Sequence, residues 1–486
     1  MNLVLKDPSL LQTGLFINGQ WLNREQTLEV TDPASGDTLT AIATASAEDT
    51  ELAISAAAEA YKSWRLTTAK ERTSLMKNWF QLIMDNQEDL AKILTAEQGK
   101  ILPEAMGEIA YGAAYIEWFA EEAKRIYGDT IPQPANDRRL LCIKQPIGVV
   151  ACITPWNFPN AMLTRKIAPA LAAGCTVVCK PASETPLSAL ALAELAKRAG
   201  IPDGVINMVA GKASAIGPVI TASPTVRKLS FTGSTEVGKI LLEQCATTVK
   251  KVSMELGGNA PFIVFDDADL DAAVDGLLAS KYRNSGQTCV CTNRVFIQQS
   301  IYQEFSDKLV AAVESRLTVG NGFNENVTNG PLINTQAVST VTDLVNQSVA
   351  QGATVLAGGS VSDLGERYFL PTILGNVTND MPIAQEEIFG PVAPLISFET
   401  EQQVIDMAND TNVGLAAYFY SRDIGRVWRL SEQLEYGIVG VNEGIISNEM
   451  APFGGVKESG MGREGSKYGL DDYLEMKYIC MGGLDS

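Results

Sequence analysis

Residues 148–183 read GVVACITPWNFPNAMLTRKIAPALAAGCTVVCKPAS, and this stretch decides the fold. Its two ends, residues 148–153 and 175–180, are short apolar runs with the length of buried strands, and a helical stretch lies between them. The pattern continues to residue 233 with the apolar runs VINMVAG and RKLSFTG and the helical stretch SALALAELAKRAG. Short buried strands that alternate with helices predict a doubly wound parallel sheet.

A second block of the same kind begins near residue 261 with PFIVFDDAD and runs to about residue 440. Residues 50–125 are predicted to form long amphipathic helices, one of them over KNWFQLIMDNQEDLAKIL, residues 77–94. The fold class is therefore α/β, with two doubly wound domains. Residues 127–145 and the C-terminal DYLEMKYIC fit neither block, and DYLEMKYIC alternates like an edge strand.

The composition excludes several classes of protein. The chain has 486 residues and a formal net charge of −19, which argues against a nucleic-acid-binding surface. Its N-terminal residues lack the basic and apolar regions of a signal peptide, and its longest apolar run is too short to span a bilayer. Eight cysteines in so long a chain favour a reducing cytoplasm. The lack of histidine and of any CxxC pair argues against a zinc site.

Two glycine-rich stretches resemble phosphate-binding loops. GMGREG, residues 460–465, matches GxGxxG, but too little chain follows it to form a βαβ unit. GSTEVGKI, which begins at Gly233, nearly matches a P-loop, but Ile240 lacks the hydroxyl that binds Mg²⁺. A nucleotide triphosphatase is therefore disfavoured, and a nucleotide-hydrolysis assay would exclude it. The predicted helix start at Ser234 still suits the pyrophosphate of a dinucleotide, because helix N-terminal amides attract anions.

The segment NSGQTCVCTN, residues 284–293, carries Cys289 and Cys291 among polar neighbours. Cysteine is most often a small buried residue, but these neighbours are poor core residues. A reactive thiol usually needs a base, and this chain has no histidine. Glu255 in MELGGNAP is a candidate base, although such a glutamate is more often solvated or salt-bridged.

The sequence resembles an aldehyde dehydrogenase over essentially its whole length. Several longer stretches, such as NAMLTRKIAPALAAGC and GREGSKYGLDDYLEMKY, resemble the succinate-semialdehyde dehydrogenase subfamily. The family motifs are TPWNFP (154–159), KPAS (180–183), FTGSTEVG (231–238), MELGGN (254–259), GQTC (286–289), EEIFGP (386–391) and PFGG (452–455).

This resemblance implies a domain division and an assembly. Residues 1–126 and 146–257 would form the dinucleotide-binding domain, and residues 258–459 the catalytic domain. Residues 127–145 and 470–486 would form a small β oligomerisation element. In the family such an element joins subunits into homodimers or homotetramers by sheet extension.

The resemblance also implies an activity, the oxidation of succinate semialdehyde to succinate with NADP⁺ or NAD⁺. Cys289 would be the nucleophile that forms a thiohemiacetal and then a thioester, and Glu255 would activate the hydrolytic water. Asn157 and the Cys289 backbone N–H would stabilise the oxyanion, so no metal would be needed. Glutarate semialdehyde or another ω-carboxy aldehyde is the main alternative, since one methylene discriminates by only ~1–3 kcal/mol. A non-catalytic descendant is disfavoured because Cys289, Glu255 and Asn157 are all present.

The resemblance further assigns the binding residues. Those expected at the cofactor are Thr154, Pro155, Trp156, Lys180, Ser183, Gly233, Ser234, Glu387 and Phe389. Those expected at an anionic substrate are Arg165, Arg283, Ser447 and Phe453, although a single arginine is usually a solvated surface charge. NAD-preferring relatives often carry glutamate at the position of Ser183, so serine beside Lys180 favours NADP⁺, whereas the adjacent Glu184 weakens that argument.

Cys291 suggests a redox hypothesis. In an extended segment, Cα atoms two residues apart lie about 6–7 Å from each other, which is just within disulfide range. A strained bond between Cys289 and Cys291 would block the nucleophile reversibly. The alternative is that Cys291 is simply a packed cysteine.

Overall fold

The computed structural model describes residues 3–484 of the chain. The strands are β1 (Leu15–Ile17), β2 (Gln20–Leu22), β3 (Thr27–Thr31), β4 (Thr38–Ala43), β5 (Asp129–Ile131), β6 (Arg139–Pro146), β7 (Val149–Ile153), β8 (Thr176–Lys180), β9 (Ile206–Met208), β10 (Val226–Thr232), β11 (Lys251–Glu255), β12 (Ala260–Val264), β13 (Thr292–Gln298), β14 (Thr354–Ala357), β15 (Thr372–Gly375), β16 (Val392–Phe398), β17 (Val413–Gly414), β18 (Ala416–Tyr420), β19 (Ile438–Val441), β20 (Val456–Lys457), β21 (Gly460–Met461) and β22 (Leu474–Met481).

Helices cover much of the remaining chain. The α-helices are α1 (Ala47–Trp64), α2 (Ala69–Asp85), α3 (Gln87–Gln98), α4 (Leu102–Glu122), α5 (Ala161–Ala173), α6 (Leu187–Arg198), α7 (Ala213–Ala222), α8 (Thr235–Ala246), α9 (Leu270–Lys281), α10 (Tyr302–Arg316), α11 (Thr335–Ala350), α12 (Pro382–Gln385), α13 (Glu401–Asn409) and α14 (Ile424–Gln433). Short 3-10 helices cover Pro8–Leu10, Ala123–Arg125, Arg283–Gly286, Gln299–Ile301 and Lys467–Tyr473.

The N-terminal helices follow their sequence signals, with one difference. Capping boxes begin α1 at Ser46 and α2 at Thr68, because each hydroxyl accepts a backbone N–H that the helix leaves unpaired. The single helix predicted over residues 77–94 is two helices. The backbone of Asn86 leaves the helical region at φ −107° and ψ 15°, so α2 ends and α3 begins there.

The first predicted doubly wound sheet is present. Its strand order is β2-β1-β9-β8-β7-β10-β11-β21, and the five strands from β9 to β11 are parallel. The chain runs from β7 outward in one direction to β8 and β9, and then returns to the other side for β10 and β11. Ligands of such sheets bind where the strand order reverses, outside the carboxyl ends of the strands. In this sheet that place is the space after β7 and β10.

The second predicted sheet is also present, with the order β14-β15-β16-β13-β12-β18-β19. All of its pairings are parallel except that of the edge strand β14. Both faces are covered, since Phe262 and Val264 of β12 belong to one apolar cluster and Ile263 belongs to another. This burial of both faces explains why its strands are apolar runs instead of alternating patterns.

A third sheet has the order β22-β6-β5 and is antiparallel. It contains the two segments that fit neither block of the sequence, and β22 is an edge strand as predicted. The N-terminal hairpin β1–β2, which extends the first sheet through the pair Phe16 and Met208, was not anticipated. Among residues 3–484, no helix is both long and apolar enough to cross a membrane.

Candidate active site

Two cavities meet at Cys289, which lines both of them. We call the first the arginine cavity. It has a volume of about 240 Å³, and it contains all four predicted substrate residues. It is lined by Lys100, Glu104, Gly107, Glu108, Tyr111, Phe158, Met162, Arg165, Arg283, Thr288, Cys289, Val290, Ser447 and Phe453.

We call the second the strand-end cavity, because it lies at the carboxyl ends of β7 and β10. Its volume is about 540 Å³. It includes Asn157 and Cys289 together with all nine residues predicted to bind a cofactor, namely Thr154, Pro155, Trp156, Lys180, Ser183, Gly233, Ser234, Glu387 and Phe389. The structure therefore brings the predicted residues together at the place where the topology of the first sheet predicts a ligand.

Cys289 lies in a turn between a 3-10 helix and β13. The backbone before it is unusual, because Asn284, Ser285 and Gly286 all have left-handed φ angles, at 50°, 54° and 78°. A Cβ atom at Gly286 would lie 2.1 Å from the carbonyl oxygen of Gly390, so the segment needs glycine there. Consecutive residues in this sparsely populated region store strain, which concentrates at functional sites.

The electrostatic surroundings of Cys289 favour the neutral thiol. Burial raises the pKa of Cys289 to about 12, although Arg165 opposes the shift. The Cys289 backbone N–H has no hydrogen-bond partner within residues 3–484, so it is free to bind an oxyanion. One Nδ2 hydrogen of Asn157 is donated to the carbonyl of Gln287 at 3.0 Å. Its second Nδ2 hydrogen has no acceptor in residues 3–484, and Asn157 lines the strand-end cavity.

Glu255 ends β11 and is 3% exposed. In the described chain neither of its carboxyl oxygens has a hydrogen-bond partner, and it lines neither cavity. Its Oε1 faces Gly454, where an added Cβ would lie 3.0 Å away. Burial, reinforced by the nearby Glu464, raises the pKa of Glu255 well above its usual value. This shift favours the protonated carboxyl, and only the deprotonated form can act as a base.

Arg165 is not a solvated surface charge, since it is 1% exposed. Its Nε forms an ion pair with Glu464 Oε2 at 2.8 Å, and its guanidinium lies 4.0 Å from the ring centre of Phe453. Lys166 pairs with the other oxygen of Glu464 at 2.6 Å. Burial alone would raise the pKa of Glu464, but Lys166 and Arg165 outweigh it and the net shift is downward. The cluster contains two cations, Arg165 and Lys166, and one carboxylate, Glu464. It therefore keeps a net positive charge, and Arg165 carries that charge to the cavity wall.

Arg283 is the second arginine of the arginine cavity. Within the described residues its guanidinium has no acidic group within ion-pair distance and no hydrogen bond, and it lies 5.5 Å from the centre of the Phe158 ring. Its charge also acts on Glu104 of the same cavity, where it opposes the rise in pKa that burial causes. Ser447 lines the same cavity, and its hydroxyl forms no hydrogen bond with any residue in the range 3–484. Phe453 is 4% exposed and belongs to the apolar core, and it also lines the arginine cavity.

A buried ion pair that the sequence did not predict lines the arginine cavity. Lys100 Nζ donates to Glu108 Oε2 at 2.6 Å and to the backbone carbonyl of Asn157 at 2.8 Å. Glu108 Oε1 accepts the backbone N–H of Asn160 at 2.9 Å, at the start of α5. The pair therefore fixes Asn157 and the helix that carries Arg165. The backbone groups that Lys100 and Glu108 bind lie more than 50 residues further along the chain, so no local sequence pattern reveals these contacts.

The strand-end cavity has the chemistry that a dinucleotide requires. Lys180 is 5% exposed and donates to the Pro181 carbonyl, with no acidic partner within ion-pair distance in residues 3–484. The hydroxyl of Thr154 is buried without a partner in the same range. Burial lowers the pKa of Lys180, and Glu184 opposes this shift. A buried lysine and an orphaned hydroxyl fit a phosphate-bearing ligand.

Other groups complete that cavity. Ser234 caps α8, with its hydroxyl accepting the Val237 N–H at 3.4 Å. Trp156 and Phe389 pack edge to face with ring centres 5.5 Å apart, and Phe389 has a left-handed φ of 49°. Burial raises the pKa of Glu387 to about 7, which its hydrogen bond from the Gly258 N–H opposes. In the described residues no group of three or more His, Cys, Asp or Glu side chains could hold a metal ion.

The prediction of an extended backbone between Cys289 and Cys291 is wrong. The Cys291 N–H donates to the Thr288 carbonyl at 2.9 Å, so residues 288–291 form a turn. Cys291 is buried and its thiol donates to the Lys281 carbonyl at 3.5 Å, whereas Cys289 faces the cavities. Both thiols are free. A disulfide would have to break the Lys281 contact and rotate Cys291.

The redox hypothesis stays a prediction. Peroxide should inactivate the protein, and dithiothreitol should restore it, if Cys291 captures the oxidised Cys289. Cys291→Ala should then make the inactivation irreversible, and mass spectrometry of the oxidised protein should detect the intramolecular bond. Loss that resists dithiothreitol in the unmodified chain would contradict the hypothesis and indicate overoxidation.

Known proteins resemble the chain over nearly its full length. It is 60% identical to a 3-sulfolactaldehyde dehydrogenase of Pseudomonas putida, over 99% of this chain and 100% of the relative. It is 59% identical to an NADP⁺ succinate-semialdehyde dehydrogenase of Escherichia coli, over 98% and 99%. It is 57% identical to a glutarate-semialdehyde dehydrogenase of Pseudomonas aeruginosa, over 99% and 100%.

A solved structure and a family profile agree with these relatives. The crystal structure of an E. coli NADP-dependent enzyme superposes with a TM-score of 0.98 at 58% identity, covering 99% of this chain and 100% of that one. The predicted α/β fold is thus confirmed. The profile of the aldehyde dehydrogenase family matches residues 21–479. The chain, with its cysteine at the junction of two cavities, therefore belongs to the aldehyde dehydrogenase family and is an oxidoreductase.

Proposed function

We propose that this enzyme oxidises succinate semialdehyde to succinate, with NADP⁺ favoured over NAD⁺. The observation that carries the proposal is the unpaired Arg283 guanidinium in the same cavity as Cys289. A cation without an ion-pair partner in a cavity suits an anionic ligand, since a carboxylate can form charge-assisted hydrogen bonds with it. The three relatives are named for aldehydes that each carry a second, anionic group.

The first chemical step is acylation of Cys289. Its thiol transfers a proton to solvent water, and the thiolate sulfur bonds to the aldehyde carbon while the carbonyl electron pair moves to oxygen, which gives a thiohemiacetal oxyanion. The free Cys289 N–H and the second Nδ2 hydrogen of Asn157 are the donors for that oxyanion. Loss of one such donor typically costs ~3–4 kcal/mol of transition-state stabilisation. Arg165 favours the thiolate, because it lowers the pKa that burial has raised.

The second step is hydrolysis of the thioester. A bound dinucleotide would supply the acceptor for the hydride, and loss of hydride from the thiohemiacetal carbon would give the thioester. Lys180, Ser183, Ser234 and Glu387 are the groups proposed to hold it. Glu255 then takes a proton from water, which attacks the thioester carbon and releases the acid and the Cys289 thiol. Because the pKa of Glu255 is raised, this step should become faster as the pH rises.

The cofactor preference rests on Ser183. Its hydroxyl donates to the Gly211 carbonyl at 3.1 Å, and it lines the strand-end cavity together with the buried Lys180 and with Glu184. Ser183→Glu should raise the KM for NADP⁺ by about 10- to 100-fold and change that for NAD⁺ little, because a carboxylate would face the 2′-phosphate. Initial rates with both cofactors measure this. Ser183→Gln, of similar size but neutral, is the control, and equal losses for both cofactors would contradict the assignment.

Initial rates with succinate semialdehyde and glutarate semialdehyde, each with NAD⁺ and NADP⁺, test the proposal. We expect the highest kcat/KM with the four-carbon substrate and NADP⁺. Glutarate semialdehyde is the second candidate, because one extra methylene changes binding by only ~1–3 kcal/mol. A sulfonate-bearing aldehyde should be assayed beside them, since the relative at 60% identity is named for one. Activity on uncharged aldehydes alone would contradict the proposal.

The domain division and assembly expected from the family also remain proposals. The separate sheet β22-β6-β5 supports an oligomerisation element at residues 127–145 and 470–486, and its exposed Met476 and Tyr478 support contact with another subunit. Sedimentation should then give a homodimer or homotetramer. We place the enzyme in the cytoplasm because its cysteines are free thiols.

A further inference from the structure

Glycines inside α-helices need a reason, because glycine destabilises a helix interior relative to alanine. In the α-helices of residues 3–484, three interior glycines have a steric reason, because a Cβ atom there would collide with another part of the chain. An added Cβ would lie 2.4 Å from Asn160 Oδ1 at Gly112, 2.6 Å from Leu256 at Gly238 and 1.8 Å from the Tyr420 hydroxyl at Gly276. In these three places another part of the chain fills the space that a side chain would take.

Gly107 in α4 and Gly217 in α7 have no such reason. At both positions an added Cβ would meet nothing within 4 Å, and neither residue has a left-handed φ. Each of them lines one of the two cavities, Gly107 the arginine cavity and Gly217 the strand-end cavity. The two interior helix glycines that no packing contact within the protein requires are thus the two that line a cavity.

Gly107 lies on the face of α4 that forms one wall of the arginine cavity. Glu104, Gly107, Glu108 and Tyr111 all line it, and their spacing of three and four residues puts them on one side of the helix. Gly107 is exposed, whereas Glu108 is buried. It therefore stands where this wall reaches solvent, and a side chain there would narrow the open part of the cavity.

We propose that Gly107 is a specificity-determining residue, which leaves room for ω-anionic aldehydes longer than four carbons. The inference rests on the proposed function, in which Cys289 fixes the aldehyde carbon and Arg283 the anionic group. With both ends fixed, an additional methylene must bow toward the cavity wall or shift the anionic group toward solvent. The missing side chain of Gly107 gives space for either movement.

Gly107→Ala and Gly107→Leu test this by kcat/KM for succinate semialdehyde and glutarate semialdehyde with NADP⁺. Both replacements are good helix formers, so the melting temperature should rise or stay unchanged. Gly107→Leu should lower kcat/KM for the five-carbon substrate at least tenfold more than for the four-carbon one, with Gly107→Ala between it and the unmodified enzyme. The Kd for NADP⁺ should not change.

Glu117→Leu is the matched control, because Glu117 is an exposed residue of the same helix that does not line the cavity. It should leave the ratio of the two substrates unchanged. An equal fall for both substrates in Gly107→Leu, no change in either, or an unmodified enzyme that rejects the five-carbon substrate would each overturn the inference. Rejection of both semialdehydes by the unmodified enzyme would instead overturn the proposed function.

Discussion

Cys289→Ala should abolish aldehyde oxidation while leaving the fold and NADP⁺ binding intact. The substitution removes the one thiol that lines both cavities, and with it the atom that forms the thioester. Loss of a nucleophile typically costs several orders of magnitude in kcat, so we expect a fall of roughly 10⁴-fold or more. Cys289 is partly exposed to the cavities, so its truncation removes little packing. The measurement is NADPH formation, with NADP⁺ affinity from calorimetry.

Cys291→Ala is the matched control for that experiment. Its thiol is two residues away, but it is buried against the Lys281 carbonyl and should not touch the substrate. Most activity should remain, apart from a modest loss of stability from the missing sulfur. An inactive Cys291→Ala together with an active Cys289→Ala would show that the nucleophile has been assigned to the wrong cysteine.

The sheets could be predicted because their signals are local. The apolar runs of β7, β8, β10 and β13 are buried on both faces, and their lengths and spacing appear directly in the sequence. The break at Asn86 could not be predicted, since it removes only one residue from an otherwise continuous helical pattern. The short strand β1 was missed because its place in the first sheet depends on a single long-range pair with β9.

The site residues were found through motifs, but their electrostatic states were not. The ion pair between Arg165 and Glu464 joins residues that are 299 positions apart in the sequence (464 − 165). It partly neutralises the charge of Arg165, which was predicted to bind the substrate. The orphaned carboxyl of Glu255 and the left-handed backbone at Asn284 likewise depend on tertiary packing. Sequence patterns identify which groups meet, whereas charge states require distances and burial.

Arg283→Ala should lower kcat/KM for succinate semialdehyde, with a loss of about 2–4 kcal/mol in transition-state stabilisation. This is the loss expected when one partner of a buried charged contact is truncated. An uncharged aldehyde of similar length, butanal, should lose little, because it has no carboxylate for Arg283 to bind. Arg316→Ala is the control, since Arg316 is a surface arginine paired with Asp275, and it should affect neither substrate. Initial rates with both aldehydes measure the difference.

Arg165→Ala should behave differently, because Arg165 also neutralises Glu464. Its loss leaves Lys166 as the cation within ion-pair distance of that carboxylate, and it takes away the one positive charge of Arg165, which lowers the pKa values of both Cys289 and Glu255. Butanal and succinate semialdehyde should therefore both lose activity, with the larger loss for the charged substrate. Selective loss in Arg165→Ala, with equal loss in Arg283→Ala, would exchange the two roles. If neither arginine distinguished the substrates, the carboxylate would have to bind outside the arginine cavity, and the anionic substrate class would lose its structural support.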